Sequence, residues 1–226
     1  WFLQVNFPGP HNPWDITKSM EASVRDRTNF PQPVASNDGT EDQHLKVRQN
    51  YTAMVENIDA WVGKLMDVIE ERGELDNTLI VFTSDHGEML GDSERWTKSV
   101  PYQASAFVPM VVWGPGIPKG ELVDAPTSVL DVTATFLKAA GLAVPEDMDS
   151  RPLDEQTLSN DSSRHEFVFS GLNKWNGGSW RMVYDGRYKL VMQTDGPVEA
   201  YDLQEDPNEL TNGAETLPSD LMEKLE

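Results

Sequence analysis

Asp85-His86-Gly87 is the stretch of this sequence whose residue types come nearest to chemistry. A carboxylate and an imidazole on successive residues, with a glycine that lets the backbone turn sharply, can reach one metal ion. The run before it, Asn77-Thr78-Leu79-Ile80-Val81-Phe82-Thr83-Ser84, is short and mostly apolar, as in a strand buried on both faces. In an α/β sheet the carboxyl ends of strands face the ligand crevice, so the pair falls where sites form. Taken alone, the tripeptide reads equally as a ligand pair or as a hydrogen-bonded turn.

The elements that must position it alternate between strand and helix. Tyr51, Met54, Val55, Ile58, Val62, Leu65, Met66 and Ile69 recur at three- and four-residue steps, which predicts a helix over 48–72 packed by one stripe. Gly73 follows, where a left-handed residue closes a helix. Residues 108–113 read as a second buried strand, ended by Gly114-Pro115-Gly116. Thr127-Ser128 opens another helix that Gly141 ends, with Asp131 placed for a capping box. The alternation predicts an α/β domain with a largely parallel sheet over 1–144. Beyond the proline-bearing linker 145–152, four short strand patterns and a closing helix over 217–226 predict a small antiparallel four-stranded subdomain over 145–226. Its strands fall at 167–169, 180–184, 188–192 and 200–203, and Asp185-Gly186 makes the tight turn between the middle two. Residues 8–15, rich in proline, read as a rigid loop, and 17–41 as a surface excursion. Trp1-Phe2-Leu3-Gln4-Val5-Asn6-Phe7 reads as a buried strand without a polar lead-in, so the chain reads as a fragment completed by a missing N-terminal portion or a partner chain.

The 226 residues carry 38 Asp and Glu against 18 Lys and Arg, a formal net charge of −20. A field of that sign repels nucleic acid and anionic membranes, so an anionic substrate needs a local cationic pocket. The absence of cysteine excludes disulfides, thiolate metal sites and a cysteine nucleophile within these residues. No apolar run reaches the length of a membrane span.

The wider context of the tripeptide carries a resemblance. The stretch 83–92 (TSDHGEMLGD), then Trp96-Thr97-Lys98, Pro101-Tyr102, Val108-Pro109 and Gly114-Pro115-Gly116, resembles the type I sulfatase family of the alkaline-phosphatase superfamily. Pro10-His11-Asn12-Pro13 near the start and Tyr201-Asp202-Leu203 with Asp206-Pro207 near the end fit the same pattern. The resemblance covers nearly the whole chain, as the carboxyl-terminal half of such an enzyme. It implies an alkaline-phosphatase-like α/β fold and a sulfuric ester hydrolase, acting on sulfated carbohydrate in a bacterial periplasm or outside the cell.

Carried over position by position, the resemblance implies that Asp85 and His86 ligate the active-site cation. It implies that Lys98 holds the sulfate oxygens and steadies the leaving group, and that His11 contacts the leaving-group oxygen and can protonate it. A sulfate ester develops negative charge on its bridging oxygen and needs fixed positive partners there. Ligand softness would admit zinc or manganese beside an imidazole, whereas the family points to calcium (Ca2+, with Mn2+ or Zn2+ as alternatives). Read without the family, Lys98 is an ordinary surface lysine and His11 a loop cap. Trp175, in a polar-aromatic loop, reads either as a sugar-stacking residue or as strand packing, and His44 and His165 match no motif and read as surface residues.

The departures from the family pattern are specific. Its Cys/Ser-x-Pro-x-Arg motif, the source of the formylglycine nucleophile, is absent from these residues, as are its paired amino-terminal aspartates and the Lys and His of its middle segment. Two ligands come from this chain, where calcium takes roughly 6–8 oxygens. The isolated chain is therefore expected to be inactive, with the formylglycine upstream. Asp92-Ser93-Glu94 replaces the family's Glu-His-Gly, and Gln103 and Phe107 stand where it has Glu and Arg, which suggests a paired change in supporting structure. Two other readings remain: a phosphodiesterase or phosphonate monoester hydrolase on the same scaffold, and a non-catalytic anion-binding fragment.

Overall fold

In the computed structural model, which describes residues 1–154, 165–173, 178–216, 218 and 222–223, the chain forms two compact units. One comprises Trp1–Leu75 and Glu88–Lys98, the other Asp76–Gly87 and Ser99–Glu226.

The first unit is built on two helices, α1 (Lys18–Val24) and α2 (Glu41–Glu71). Thr17 starts α1, its hydroxyl accepting the Met20 N–H at 3.3 Å, and Val24 buries against the rest of the unit. A helix of seven residues is too short to show a period, which is why 17–41 reads as an excursion. Thr40 Oγ1 accepts the Gln43 N–H at 3.2 Å and Gln43 Oε1 accepts that of Thr40 at 2.9 Å. This reciprocal cap satisfies two orphaned donors and lets α2 begin seven residues before the helix expected over 48–72. The stripe is half covered: Tyr51, Met54, Ile58, Val62, Leu65, Met66 and Ile69 are half-buried and Val55 is exposed, while beside it Ala53 is buried and Trp61 and Val68 face solvent. The run Trp1–Phe7 forms no strand, and Trp1 and Phe2 are exposed, because a strand needs a ladder and none of the described strands pairs with it.

In the second unit β1 (Ile80–Thr83), α3 (Gln103–Ala106), β2 (Met110–Trp113) and α4 (Asp131–Ala139) precede four strands, β3 (Val168–Leu172), β4 (Trp180–Tyr184), β5 (Tyr188–Gln193) and β6 (Glu199–Asp202). Alternation predicts parallel neighbours, but β1 and β2 pair antiparallel, Thr83 opposite Met110 and Ile80 opposite Trp113. The chain re-enters beside the end of β1 that it left, with no crossover back along the strand. Strands β3 to β6 form an antiparallel meander in chain order, and Val183, Leu190 and Ala200 make its core. Gly186, at φ 103°, supplies the left-handed residue in the turn between β4 and β5. The helix expected over 217–226 falls largely outside the described residues, and Trp175 does so entirely.

Asp131 opens α4 and ties the later segments to it. Its Oδ2 accepts the Ser128 N–H at 2.8 Å, while the Ser128 hydroxyl accepts from Leu130 rather than completing the reciprocal cap. Its Oδ1 accepts the Arg151 N–H and the His165 Nε2–H, each at 2.8 Å. Thr135 donates to the Asp131 carbonyl at 2.6 Å and accepts the Leu153 N–H at 2.8 Å. His165 is therefore no surface residue: its imidazole adds a third donor to a buried carboxylate that already accepts two backbone N–H groups. Among the described residues no helix is long and apolar enough to cross a membrane.

Candidate active site

Where β1 ends, the chain turns through Ser84-Asp85-His86-Gly87. The Ser84 hydroxyl donates to the His86 carbonyl at 2.8 Å, and Asp85 Oδ1 accepts the His86 N–H at 3.1 Å. His86 Nδ1 lies 2.8 Å from the Gly87 carbonyl, which can only accept, so Nδ1 carries the proton and Nε2 the lone pair. Nε2 then faces Asp85 Oδ2 at 3.7 Å. Gly87 donates its N–H to the Ser105 carbonyl at 2.8 Å, and a Cβ at this position would lie 2.1 Å from the Ala104 carbonyl oxygen. Only glycine permits so close a backbone approach.

This arrangement suits a cation. A lone pair and a carboxylate oxygen that face each other repel, and a cation between them is attracted by both. Metal–ligand distances of about 2.0–2.6 Å put both atoms within reach of one ion. A carbonyl partner on the other ring nitrogen is what orients a ligating imidazole. Asp85 keeps 87% of its side chain exposed, and among the described residues no cluster of three or more His, Cys, Asp or Glu could hold a metal. Together Asp85 and His86 offer a cation two donor atoms.

In the first unit the structure brings His11 and Lys98 together, Lys98 Nζ in contact with His11 Nε2. His11 Nδ1 lies 2.6 Å from the Asn12 carbonyl and so carries its proton, which makes Nε2 the acceptor of a Lys98 hydrogen. Donating a proton from His11 therefore requires it to take up a second one first.

The loop that carries Lys98 is held by residues of no obvious motif. Glu88 Oε1 accepts the N–H groups of Thr97, at 2.5 Å, and Leu90, at 3.3 Å. Met89 donates to the Thr97 carbonyl at 2.8 Å. These bonds hold Leu90 and Thr97 in the left-handed region, at φ 48° and 65°, which non-glycine residues seldom adopt. Trp96 donates from Nε1 to Asp38 at 2.8 Å, and its ring stacks on His44 (centroids 5.4 Å apart, 8° between planes) and tilts against Trp14 at 5.6 Å. His44, expected at the surface, is 4% exposed with Nε2 2.5 Å from the Asp38 carbonyl. Its partners lie six and fifty-two residues away, so nothing in the neighbouring sequence signals its burial. On the other side of the pair, the Trp14 carbonyl accepts from Asn50 of α2 at 2.7 Å, and Gly9 packs on Met54 and Ile58. Burial, reinforced by the Glu88 carboxylate, pushes the Tyr51 phenol up. Asp85 and His86 thus belong to one compact unit, His11 and Lys98 to the other.

The fold is that of the alkaline-phosphatase-like α/β proteins: the chain superposes on the Bacteroides fragilis protein yidJ with a TM-score of 0.83 at 23% identity, covering 96% of this chain and 50% of that one. Within that class the chain belongs to the sulfatase family, whose family model, Sulfatase, matches residues 1–142. A second model, described as N-sulphoglucosamine sulphohydrolase, C-terminal, matches 91–225. The choline-sulfatase of Rhizobium meliloti (strain 1021) is 33% identical over 241 aligned positions, 95% of this chain and 46% of the relative. The protein BT4656, solved in complex with its substrate D-glucosamine-2-N,6-O-disulfate, aligns with a TM-score of 0.71 at 25% identity, over 82% of this chain and 40% of that one. The chain spans less than half of the length of the curated relatives it matches, 34% to 49% in the first three.

Proposed function

We propose that the whole protein hydrolyses a sulfuric ester of a carbohydrate, and that this chain supplies the leaving-group side of the reaction and two ligands of a divalent cation. The observation that carries the reading is the contact between Lys98 Nζ and His11 Nε2, which brings an ammonium and an imidazole from distant parts of the sequence to one place. In hydrolysis a nucleophile oxygen bonds to sulfur, the bridging S–O bond breaks, and its electron pair goes to the leaving oxygen, which then needs a proton. Lys98 stabilises that developing charge, and His11, once doubly protonated, delivers the proton, a contribution typically worth ~10²–10⁴-fold. The nucleophile is a formylglycine hydrate contributed from outside these residues.

Asp85 and His86 Nε2 take the cation, calcium by family and manganese or zinc by the softness of the imidazole. When bound, it withdraws charge from the sulfate oxygens as a Lewis acid. The sulfated-sugar assignment is supported by the substrate bound to BT4656, and Trp175 is the residue we assign to stacking on the sugar. We assign the protein's place of work to the periplasm or the exterior of the cell, as the family resemblance implies. We assign 1–144 to the catalytic α/β domain and 145–226 to a smaller antiparallel subdomain.

The test is Lys98→Ala in the full-length protein. Turnover of a sulfate ester should fall about 10²–10³-fold, the loss seen when one oxyanion donor is removed, with the melting temperature unchanged. Near-normal turnover rejects the role. The same preparations assayed on a phosphate diester and a phosphonate monoester decide between sulfuryl and phosphoryl transfer, and sulfate binding without turnover of any ester would leave an anion-binding protein.

A further inference from the structure

One buried charged pair takes no part in that chemistry. Lys189, the second residue of β5, has a fully buried side chain and pairs with Glu209, whose side chain is 2% exposed. Two charges out of water are costly unless further hydrogen bonds satisfy them. Here those bonds converge on one segment. Lys189 Nζ donates to the Pro101 carbonyl at 2.8 Å, and Glu209 Oε2 accepts the Gln103 N–H at 2.6 Å. From β4, Trp180 Nε1 donates to the Ser99 carbonyl at 3.1 Å. Three side chains, on β4, β5 and the turn after β6, thus grip the backbone of 99–103 across sequence separations of 81, 88 and 106 residues.

That segment runs straight into α3, and α3 is what Gly87 touches. The Ser105 carbonyl accepts the Gly87 N–H at 2.8 Å, and the Ala104 carbonyl packs on the same glycine. Contacts therefore pass without a gap from the buried pair, through 99–103 and α3, to the turn that bears Asp85 and His86. Burial pushes Lys189 down and Glu209 up, and the attraction between the two opposes both shifts, so each charge depends on its partner.

We propose that Lys189 and Glu209 are positioning residues for Asp85 and His86, holding the turn through α3 so that Asp85 Oδ2 and His86 Nε2 stay together. The inference rests on Asp85 and His86 being cation ligands, and it deepens that reading by naming what sets their geometry.

Two conservative variants of the full-length protein test it. Glu209→Gln keeps an oxygen for the Gln103 N–H and removes the countercharge; Trp180→Phe keeps an aromatic ring and removes the donor. The readouts are amide hydrogen exchange at Gly87 and calorimetric titration of metal-stripped protein with Mn2+. In Glu209→Gln the Gly87 amide should exchange faster and the Mn2+ dissociation constant should rise about tenfold, the scale of second-layer substitutions at metal sites, while the amides of α4 keep their protection. Trp180→Phe should move both readouts the same way by less, and it carries the test alone if Glu209→Gln does not fold. Unchanged Gly87 exchange overturns the proposal. So does faster exchange with unchanged Mn2+ affinity, and so does an equal loss of protection in α4, which would make the pair a support of the fold at large. Asp85→Asn is the separate check on the underlying reading: unchanged Mn2+ affinity there removes Asp85 as a ligand, whatever Gly87 does.

Discussion

Around Lys98 the backbone is shaped by side chains that reach over long separations, Glu88 to the Thr97 amide, Asp38 to the Trp96 indole and Asn50 to the Trp14 carbonyl. Around Asp85 and His86 the side-chain bonds of Ser84, Asp85 and His86 stay within the turn itself, and the contact that seats the turn on α3 is main chain on main chain, Gly87 lying directly on Ala104 and Ser105. The difference lies in how each region can fail. Side-chain ties can be loosened singly, each worth about 1 kcal/mol net. A backbone seat with no room for a methyl group fails at once.

Gly87→Ala should break the contrast most sharply. Its Cβ would meet a carbonyl oxygen at 2.1 Å, so the turn or α3 must move. We expect a loss of about 1–3 kcal/mol in urea denaturation, as for other overpacked sites, together with loss of cation binding. Retained Mn2+ affinity in a folded Gly87→Ala protein would mean that the main-chain seat does not set the ligand pair. In the first unit, Trp96→Phe should cost no more than about 1 kcal/mol for the lost bond to Asp38, with sulfate-ester turnover lowered only a few-fold. A collapse of turnover as large as that of Lys98→Ala would show the aromatic stack to be as brittle as the glycine seat.

The smallest effect is electrostatic. Arg187 grips Asp202 with two nitrogens, at 2.9 and 2.6 Å, and this holds the Asp202 carboxyl below its ordinary range. A depressed folded value means that the pair's contribution is complete above the ordinary carboxylate value of 3.8 and fades as pH falls through the folded one. Denaturation midpoints compared at neutral and acid pH should therefore differ less in Arg187→Gln than in the parent. Equal acid sensitivity in the two proteins would exclude this pair as a source of it.

Legibility in the sequence tracks the range of the interaction. The body of α2 was legible because its stripe repeats within a few residues, and the turn at Asp185-Gly186 because its chemistry is local. The start of α2 was not, since Glu41 to Val47 carry no stripe and only the Thr40 and Gln43 cap extends the helix through them. Asp85, His86, Lys98 and His11 were singled out through short motifs. The residues that hold them were not: Lys189 reads as one polar residue in an apolar strand, and its partner Glu209 lies twenty residues on in an acidic stretch. His44 and His165 read as surface for the same reason, each satisfied by a partner that no local pattern announces. The run at Trp1–Phe7 shows the converse, an apolar sequence with the composition of a strand but no described strand beside it to make it one.

Between its fourth and eighteenth residues α2 serves as a ruler. His44 meets the Trp96 ring, Arg48 the Leu90 carbonyl at 3.3 Å, Asn50 the Trp14 carbonyl, and Met54 and Ile58 the Gly9 bend. Each residue added to or deleted from this interval would turn everything beyond it by about 100° around the helix axis. The loop of His11 and the loop of Lys98 would then be presented to different faces. The length of this interval is thus fixed by the loops it spaces, so related chains should accept exchanges of side chain here far more readily than insertions or deletions.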